Sequence, residues 1–114
     1  MEECTFCKII KGNIPSKKVY EDEEVLAFHD INPLAPVHVL VIPKKHIEKL
    51  SEASDNDIEI LGKLQIIAAK VAKDLGIGEA FRVLNANGKD AGQSVFHIHY
   101  HVRGGWKKEA PEDK

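Results

Sequence analysis

Between Ser54 and Gly76 apolar side chains return at three- and four-residue intervals: Ile58, Leu61, Leu64, Ala68, Val71, Ala72 and Leu75. That spacing predicts one long amphipathic helix, with Ser54 as its N-cap and Gly76 and Gly78 as its stop. The face carrying Lys63, Lys70 and Lys73 is expected in solvent. A shorter helix is predicted in "FCKIIKG", ended by Gly12, after which Pro15 opens a turn. Elsewhere the pattern is that of strands. "KKVYE" and "VLAFHD", separated by the acidic "DEE", read as an antiparallel pair rich in Val and Phe. Pro33 and Pro36 in "NPLAP" interrupt the chain, and "VHVLVIP" then supplies a β-branched run suited to a central strand up to Pro43. "FRVLNAN" and "SVFHIHYHVRG" flank the loop "GKDAGQ", which predicts a hairpin with a wide connection. Strands and helices without regular βαβ alternation place the chain in the α+β class, with an antiparallel sheet.

A length of 114 residues suits one domain. We assign it to residues 1–106, with the charged "KKEAPEDK" from 107 to 114 as a polar tail expected to be poorly ordered. A hydrophobic content of 43%, 30% charged residues and a formal charge of -2 offer no electrostatic case for a nucleic-acid or membrane surface. Any anionic ligand must therefore be held by local geometry. "MEECTFCKII" lacks the basic-then-apolar progression of a secretory signal, and no apolar run approaches the ~20 residues that span a bilayer, so a cytoplasmic location is expected. In that reducing setting Cys4 and Cys7, the only cysteines, point to metal or redox use rather than a structural disulfide.

Three of the six histidines fall at alternate positions in "SVFHIHYHV". On a strand, His97, His99 and His101 project from one face at about 6.6–6.8 Å intervals, while Ile98, Tyr100 and Val102 face a core. A solvent-facing edge is one reading of such a row. A metal site is another, because alternate imidazoles can aim at one zinc ion. The third is acid, base and nucleophile work at a phosphorus or acyl centre, since imidazole titrates near neutral pH and is itself nucleophilic. The preceding "NANGKDAGQS" contains two glycines that let backbone N–H groups face an anion, which makes phosphate plus histidine an economical combination. An attacking imidazole must be bare at one nitrogen, so its other nitrogen needs an acceptor that fixes the tautomer.

"HIHYHV" resembles the signature of the histidine triad (HIT) nucleotide-binding proteins. The likeness runs through "IPSKKVYEDEEVLAFHDINPLAPVHVLVIPKKHI" and "NANGKDAGQSVFHIHYHVRGG", covering residues 4 to about 105, and is greatest to the Hint branch of phosphoramidases. The resemblance implies a HIT-like antiparallel sheet of about five strands with one long and one or two short helices, the sheets of two copies joined in a homodimer. It implies hydrolysis of purine nucleoside 5′-phosphoramidates or related nucleotide–leaving-group bonds. Dinucleoside polyphosphate hydrolysis is the nearest alternative activity, and a non-catalytic nucleotide-sensing module is the alternative from another class.

By position, the resemblance implies that His99 is the nucleophile and that His101 stabilises charge on the phosphate. Ser94 and Gln93 would contact phosphate or leaving group, Gly92 would admit a close backbone approach, and Asn85 would lie near the 5′ oxygen. Asp30 would accept from the ribose hydroxyls, with Phe6, Ile9, Phe28, His29 and Ile31 walling base and sugar. His38 would support the triad, or is simply a hydrogen-bonded strand histidine.

Members with a C-x-x-C pair imply a structural zinc ion held by Cys4, Cys7, His46 and His97. Four such ligands leave no open position for water. After Gly105 the sequence departs from the Hint pattern, with "WKKEAPEDK" in place of a longer apolar tail. Trp106 stands where that tail begins, and leaving-group preference is the property this departure touches.

Overall fold

The computed structural model describes residues 3–107 together with 110 and 111. Five strands, β1 (Lys18–Glu21), β2 (Val25–His29), β3 (Val37–Pro43), β4 (Phe81–Leu84) and β5 (Tyr100–Gly104), form one sheet in the order β1-β2-β3-β5-β4. Every neighbouring pair is antiparallel. The "DEE" turn between β1 and β2 is set by Asp22, whose carboxylate accepts from the backbone N–H groups of Glu24 (2.7 Å) and Val25 (2.8 Å). Tyr20 Oη and Lys63 Nζ donate to its other oxygen at 2.6 and 3.0 Å. These donors, Tyr20 foremost, hold the Asp22 carboxyl well below the usual carboxylate range.

The near-continuous apolar runs of β2 and β3 are explained by burial on both faces of the sheet. Val25, Ala27, Val39, Val41, Ile98, Tyr100 and Val102 pack under α2 (Ile58–Asp74). Leu26, Phe28, Leu40 and Ile42 pack on the opposite face against Phe6 and Ile9 of α1 (Thr5–Ile10). The candidate histidines His38, His99 and His101 lie together on this second face, beside Phe6. On the first, the sheet comes so close to the chain after α2 that a Cβ at Gly104 would lie 2.8 Å from Ile77 Cδ1 and 3.1 Å from the Ala80 carbonyl.

The structure shortens three expected elements. A strand from Ser94 is corrected to one from Tyr100, because Pro43, at the end of β3, has no N–H to continue the ladder. The Pro43 carbonyl instead accepts from His97 Nε2 at 2.7 Å, and the Ile98 N–H turns to the Ile47 carbonyl at 2.7 Å. "FRVLNAN" is strand only as far as Leu84. Ile58, expected in the core, is 65% exposed. The first turn before α2 is a tight 3-10 turn, Asp55–Asp57, closed by a capping box between Ser54 and Asp57, so the buried residue there is Asp57, bonded to Lys45 Nζ at 2.6 Å. Among the described residues no helix is long and apolar enough to cross a membrane. The tail expected over 107–114 lies mostly outside the described residues.

Candidate functional site

Four donor atoms converge where α1 starts. Cys4 Sγ caps the helix by accepting from the Cys7 N–H at 3.3 Å, and lies 3.4 Å from His97 Nδ1. Cys7 Sγ lies 3.4 Å from His46 Nδ1 and 3.5 Å from His97 Nδ1, and the two Nδ1 atoms are 3.2 Å apart. Zn–S bonds of about 2.3 Å and Zn–N bonds of about 2.0 Å, arranged tetrahedrally, give S···N edges of roughly 3.5 Å and N···N edges of roughly 3.3 Å. The observed separations match those edges. His97 donates its Nε2–H to the Pro43 carbonyl, so its Nδ1 is a bare lone pair turned toward the thiols. Without a cation the arrangement resists charge. Burial, then the Cys4 contact, push the Cys7 thiol up to about 11, and burial pushes the His97 imidazolium down to about 4. The residues therefore fit a tetrahedral zinc ion with no free position.

Continuing along the same face, His99 is buried and its Nδ1–H donates to the His97 carbonyl at 2.9 Å. A carbonyl can only accept, so the proton is on Nδ1 and Nε2 is bare. The Phe6 ring meets the imidazole edge-on at 5.0 Å. Asn85 Nδ2 donates to the His99 carbonyl at 2.8 Å, fixing the backbone beneath the ring.

A second tautomer is set from further away. The Leu34 backbone N–H donates to His38 Nδ1 at 3.0 Å, which requires the His38 proton to be on Nε2. That nitrogen is 2.8 Å from His101 Nδ1, so His101 accepts there and carries its own proton on Nε2. Asp30 Oδ2 and Arg103 Nε both lie 3.4 Å from the same His38 nitrogen, farther than His101. Asp30, His38 and His101 are close enough to hold a metal ion, but the facing nitrogens are already joined by a proton.

Burial holds His38 and His99 below the ordinary imidazole range, and burial, then the neighbouring His99, pushes His101 down to about 4. The row is neutral at pH 7. Its folded-state preference for the neutral form contributes stability that is present above about pH 6.5, the unfolded value, and is lost as the pH falls through the depressed folded values.

A cavity of about 290 Å³ opens over the row. Phe6, Ile9 and Phe28 form its apolar wall, His29, Asp30 and Ile31 one rim, and Ser94, His99 and His101 the polar end. Asp30 Oδ1 accepts from the Asn32 N–H at 2.8 Å, which anchors the carboxylate in its turn. Ile14 and Leu40 also line the cavity; both stand inside the HIT-like stretches, but nothing in the sequence gives either a site role. The position of Leu40, two residues from His38 on the same strand face, is the one signal that could have found it.

Asn85, Gly92 and Gln93 do not line the cavity; they shape the loop that borders it. Gly92 closes the Lys89–Ala91 turn at φ +98°, a conformation that favours glycine. The Gln93 amide is spent internally: its oxygen accepts from the Gly88 N–H at 2.8 Å, and its nitrogen donates to the Glu48 and Val95 carbonyls at 2.8 and 3.0 Å. Asn87, likewise unmarked in the sequence, accepts from the Leu50 N–H at 2.7 Å and donates to Asn85 Oδ1 at 2.6 Å, so it steadies the amide under His99.

The family model described as "HIT domain" matches residues 11–108. An uncharacterized HIT-like protein of Synechocystis is 53% identical over 104 residues, covering 91% of each chain. A 14 kDa zinc-binding protein of Zea mays is 50% identical over 108 residues, covering 93% of this chain and 84% of that one. Among solved structures, a HIT family hydrolase from Clostridium thermocellum superposes with a TM-score of 0.92 at 50% identity, with 97% of each chain covered.

Proposed function

The chain belongs to the HIT domain family, and from that premise we propose that it is a nucleotide-binding hydrolase that cleaves purine nucleoside 5′-phosphoramidates through a nucleotidyl-histidine intermediate. One observation carries this reading above the others. His99, tied through Nδ1–H to the His97 carbonyl, has a bare Nε2 beside a cavity with an apolar wall and a carboxylate rim. The similarity to a HIT family hydrolase supports the reaction class.

The purine packs between Phe6, Ile9 and Phe28, and the ribose hydroxyls donate to Asp30 Oδ2. The phosphate then meets His99 at one side and the His101 Nε2–H at another. His99 Nε2 attacks the α-phosphorus as the P–N bond breaks, and the leaving nitrogen takes up a proton and departs as an amine. Water next cleaves the P–Nε2 bond, releasing the nucleoside monophosphate and returning the proton consumed. His101 keeps its Nε2–H directed at the charge on the phosphate because His38 occupies its other nitrogen. Ser94 contacts the phosphate or leaving group, and Gly92 and Asn85 keep the loop and the His99 carbonyl in register.

Zinc, supported by the zinc-binding relative, adds no reaction step. It would be held by Cys4, Cys7, His46 and His97 and would supply only a structural cross-link there. Those side chains hold α1, and with it Phe6, against the segment bearing His99.

The test is mass spectrometry of protein quenched during turnover of adenosine 5′-phosphoramidate. An adenylate-sized adduct mapped to His99 is expected. AMP release with the adduct on another residue overturns the mechanism, and binding without release returns the protein to the sensing class.

A homodimer is proposed as the working assembly. β4 is an edge strand with Val83 38% exposed, and α2 presents Ile66 at 70% exposure, so the chain offers both an unpaired strand edge and bare apolar side chains to a second copy. Light scattering is expected to return twice the chain mass, falling to one chain in Ile66→Glu; a wild-type monomer at micromolar concentration sinks the assembly.

A further inference from the structure

Arg103 is the cross-strand partner of two residues, His38 on β3 and Arg82 on β4. Arg82 has contacts of its own: its guanidinium lies 5.4 Å from the centre of the Trp106 ring and donates through Nη2 to the Pro111 carbonyl at 2.6 Å. Arg103 is half-buried and makes no ion pair among the described residues. Its Nε lies 3.4 Å from His38 Nε2. Packing gives no reason for a guanidinium here, since like charges facing each other across a strand pair destabilise it. We propose that Arg103 is a positioning residue whose positive charge offsets Asp30 and keeps a single proton between His38 and His101.

The nitrogens that face each other are both committed. His38 Nδ1 accepts from the Leu34 N–H, and its Nε2–H donates to His101 Nδ1 at 2.8 Å. A second proton entering at His101 Nδ1 would set two N–H groups against each other. Asp30 offers a way out. Its Oδ2 lies 3.4 Å from His38 Nε2, and a carboxylate there can accept the His38 proton once His101 no longer does. The doubly protonated pair has then lost the bond that directs the His101 Nε2–H. Arg103 opposes that state, because any positive charge added to the pair meets a guanidinium at the same nitrogen. Burial and Arg103 disfavour charge on both rings, His99 adds to them at His101, and Asp30 favours it. The consequence for the reaction rests on the function proposed above, in which His101 turns its Nε2–H to the phosphate.

The test follows the histidine ring resonances of the purified, nucleotide-free protein by NMR through the acid range. Arg103→Met keeps an apolar stem and removes the charge. It is expected to raise the titration midpoint of the His38–His101 pair by about 0.5–1 pH unit, roughly a three- to tenfold gain in proton affinity. Arg103→Lys is expected to restore the wild-type midpoint. Tm near neutral pH is expected to hold or rise in Arg103→Met, since no ion pair is lost. An unshifted midpoint, or a shift that the lysine variant does not reverse, overturns the inference. The acid limb of kcat for adenosine 5′-phosphoramidate is expected to move upward with the midpoint, and a limb that stays put overturns the positioning role. If the midpoint shifts as expected but wild type hydrolyses nothing, the charge balance at the pair stands and the catalytic reading falls.

Discussion

His99→Ala is expected to bind AMP within about tenfold of wild type while its turnover of adenosine 5′-phosphoramidate falls on the order of 10⁴-fold. The size of the loss follows from covalent catalysis. Without the imidazole no bond forms to phosphorus, and the single remaining path is direct attack by water in a site built to stabilise charge. The modest change in binding follows from what His99 touches: its Nδ1–H is held by its own neighbour's carbonyl, and its ring meets Phe6 edge-on at 5.0 Å. Neither contact is made to the base or the ribose. AMP release measured by chromatography and AMP affinity measured by calorimetry separate the two effects. Turnover within tenfold of wild type would remove His99 from the chemistry, and loss of binding in parallel would recast it as a scaffold residue.

The second large effect concerns the metal tie. Purified protein is expected to contain about one zinc per chain by elemental analysis, and Cys7→Ser to lose it with a fall in Tm of roughly 10–20 °C, for a tie contributing about 2–4 kcal/mol in a domain of this size. Cys7 is the sharper choice because its sulfur lies within 3.5 Å of both imidazoles and is buried, whereas Cys4 is half-exposed. Removing it leaves two Nδ1 atoms 3.2 Å apart. The damage should reach the substrate as well, since α1 carries Phe6, which packs edge-on against Phe28 at 5.6 Å and closes the apolar wall. The KM for the phosphoramidate is therefore expected to rise more than kcat falls. Zinc-free protein with an unaltered melting point would sink the structural role, and thiol titration would then identify two free cysteines.

Several features are encoded by near neighbours in the chain and are legible there. The helix after Ser54 follows from three- and four-residue spacing, and the alternation of His97, His99 and His101 with Ile98, Tyr100 and Val102 is kept even though His97 and His99 precede the strand that begins at Tyr100. Burial agrees: the second set packs under α2, while the histidines lie on the opposite face. The Cys4–Cys7 pair is legible for the same reason, since one turn of helix brings positions three apart together. The site's apolar wall is legible only in part: Phe6, Ile9 and Phe28 are expected to line it, whereas Ile14 and Leu40 join them through packing between α1 and the sheet.

Periodicity and composition, which act over a few neighbouring residues, established the α+β class, the central strand and the histidine row. Which nitrogen of His38, His97 and His101 carries a proton was decided by the folded chain. For His38 it is the Leu34 N–H in a proline-rich turn, for His101 it is His38 across 63 residues, and for His97 it is the carbonyl of Pro43, 54 residues away. Long-range contacts also ended the last strand early and hold the Gln93 side-chain amide on the Glu48 carbonyl and within its own loop. Lone pairs and N–H groups must find partners when buried, and only the folded chain brings those partners within three ångströms.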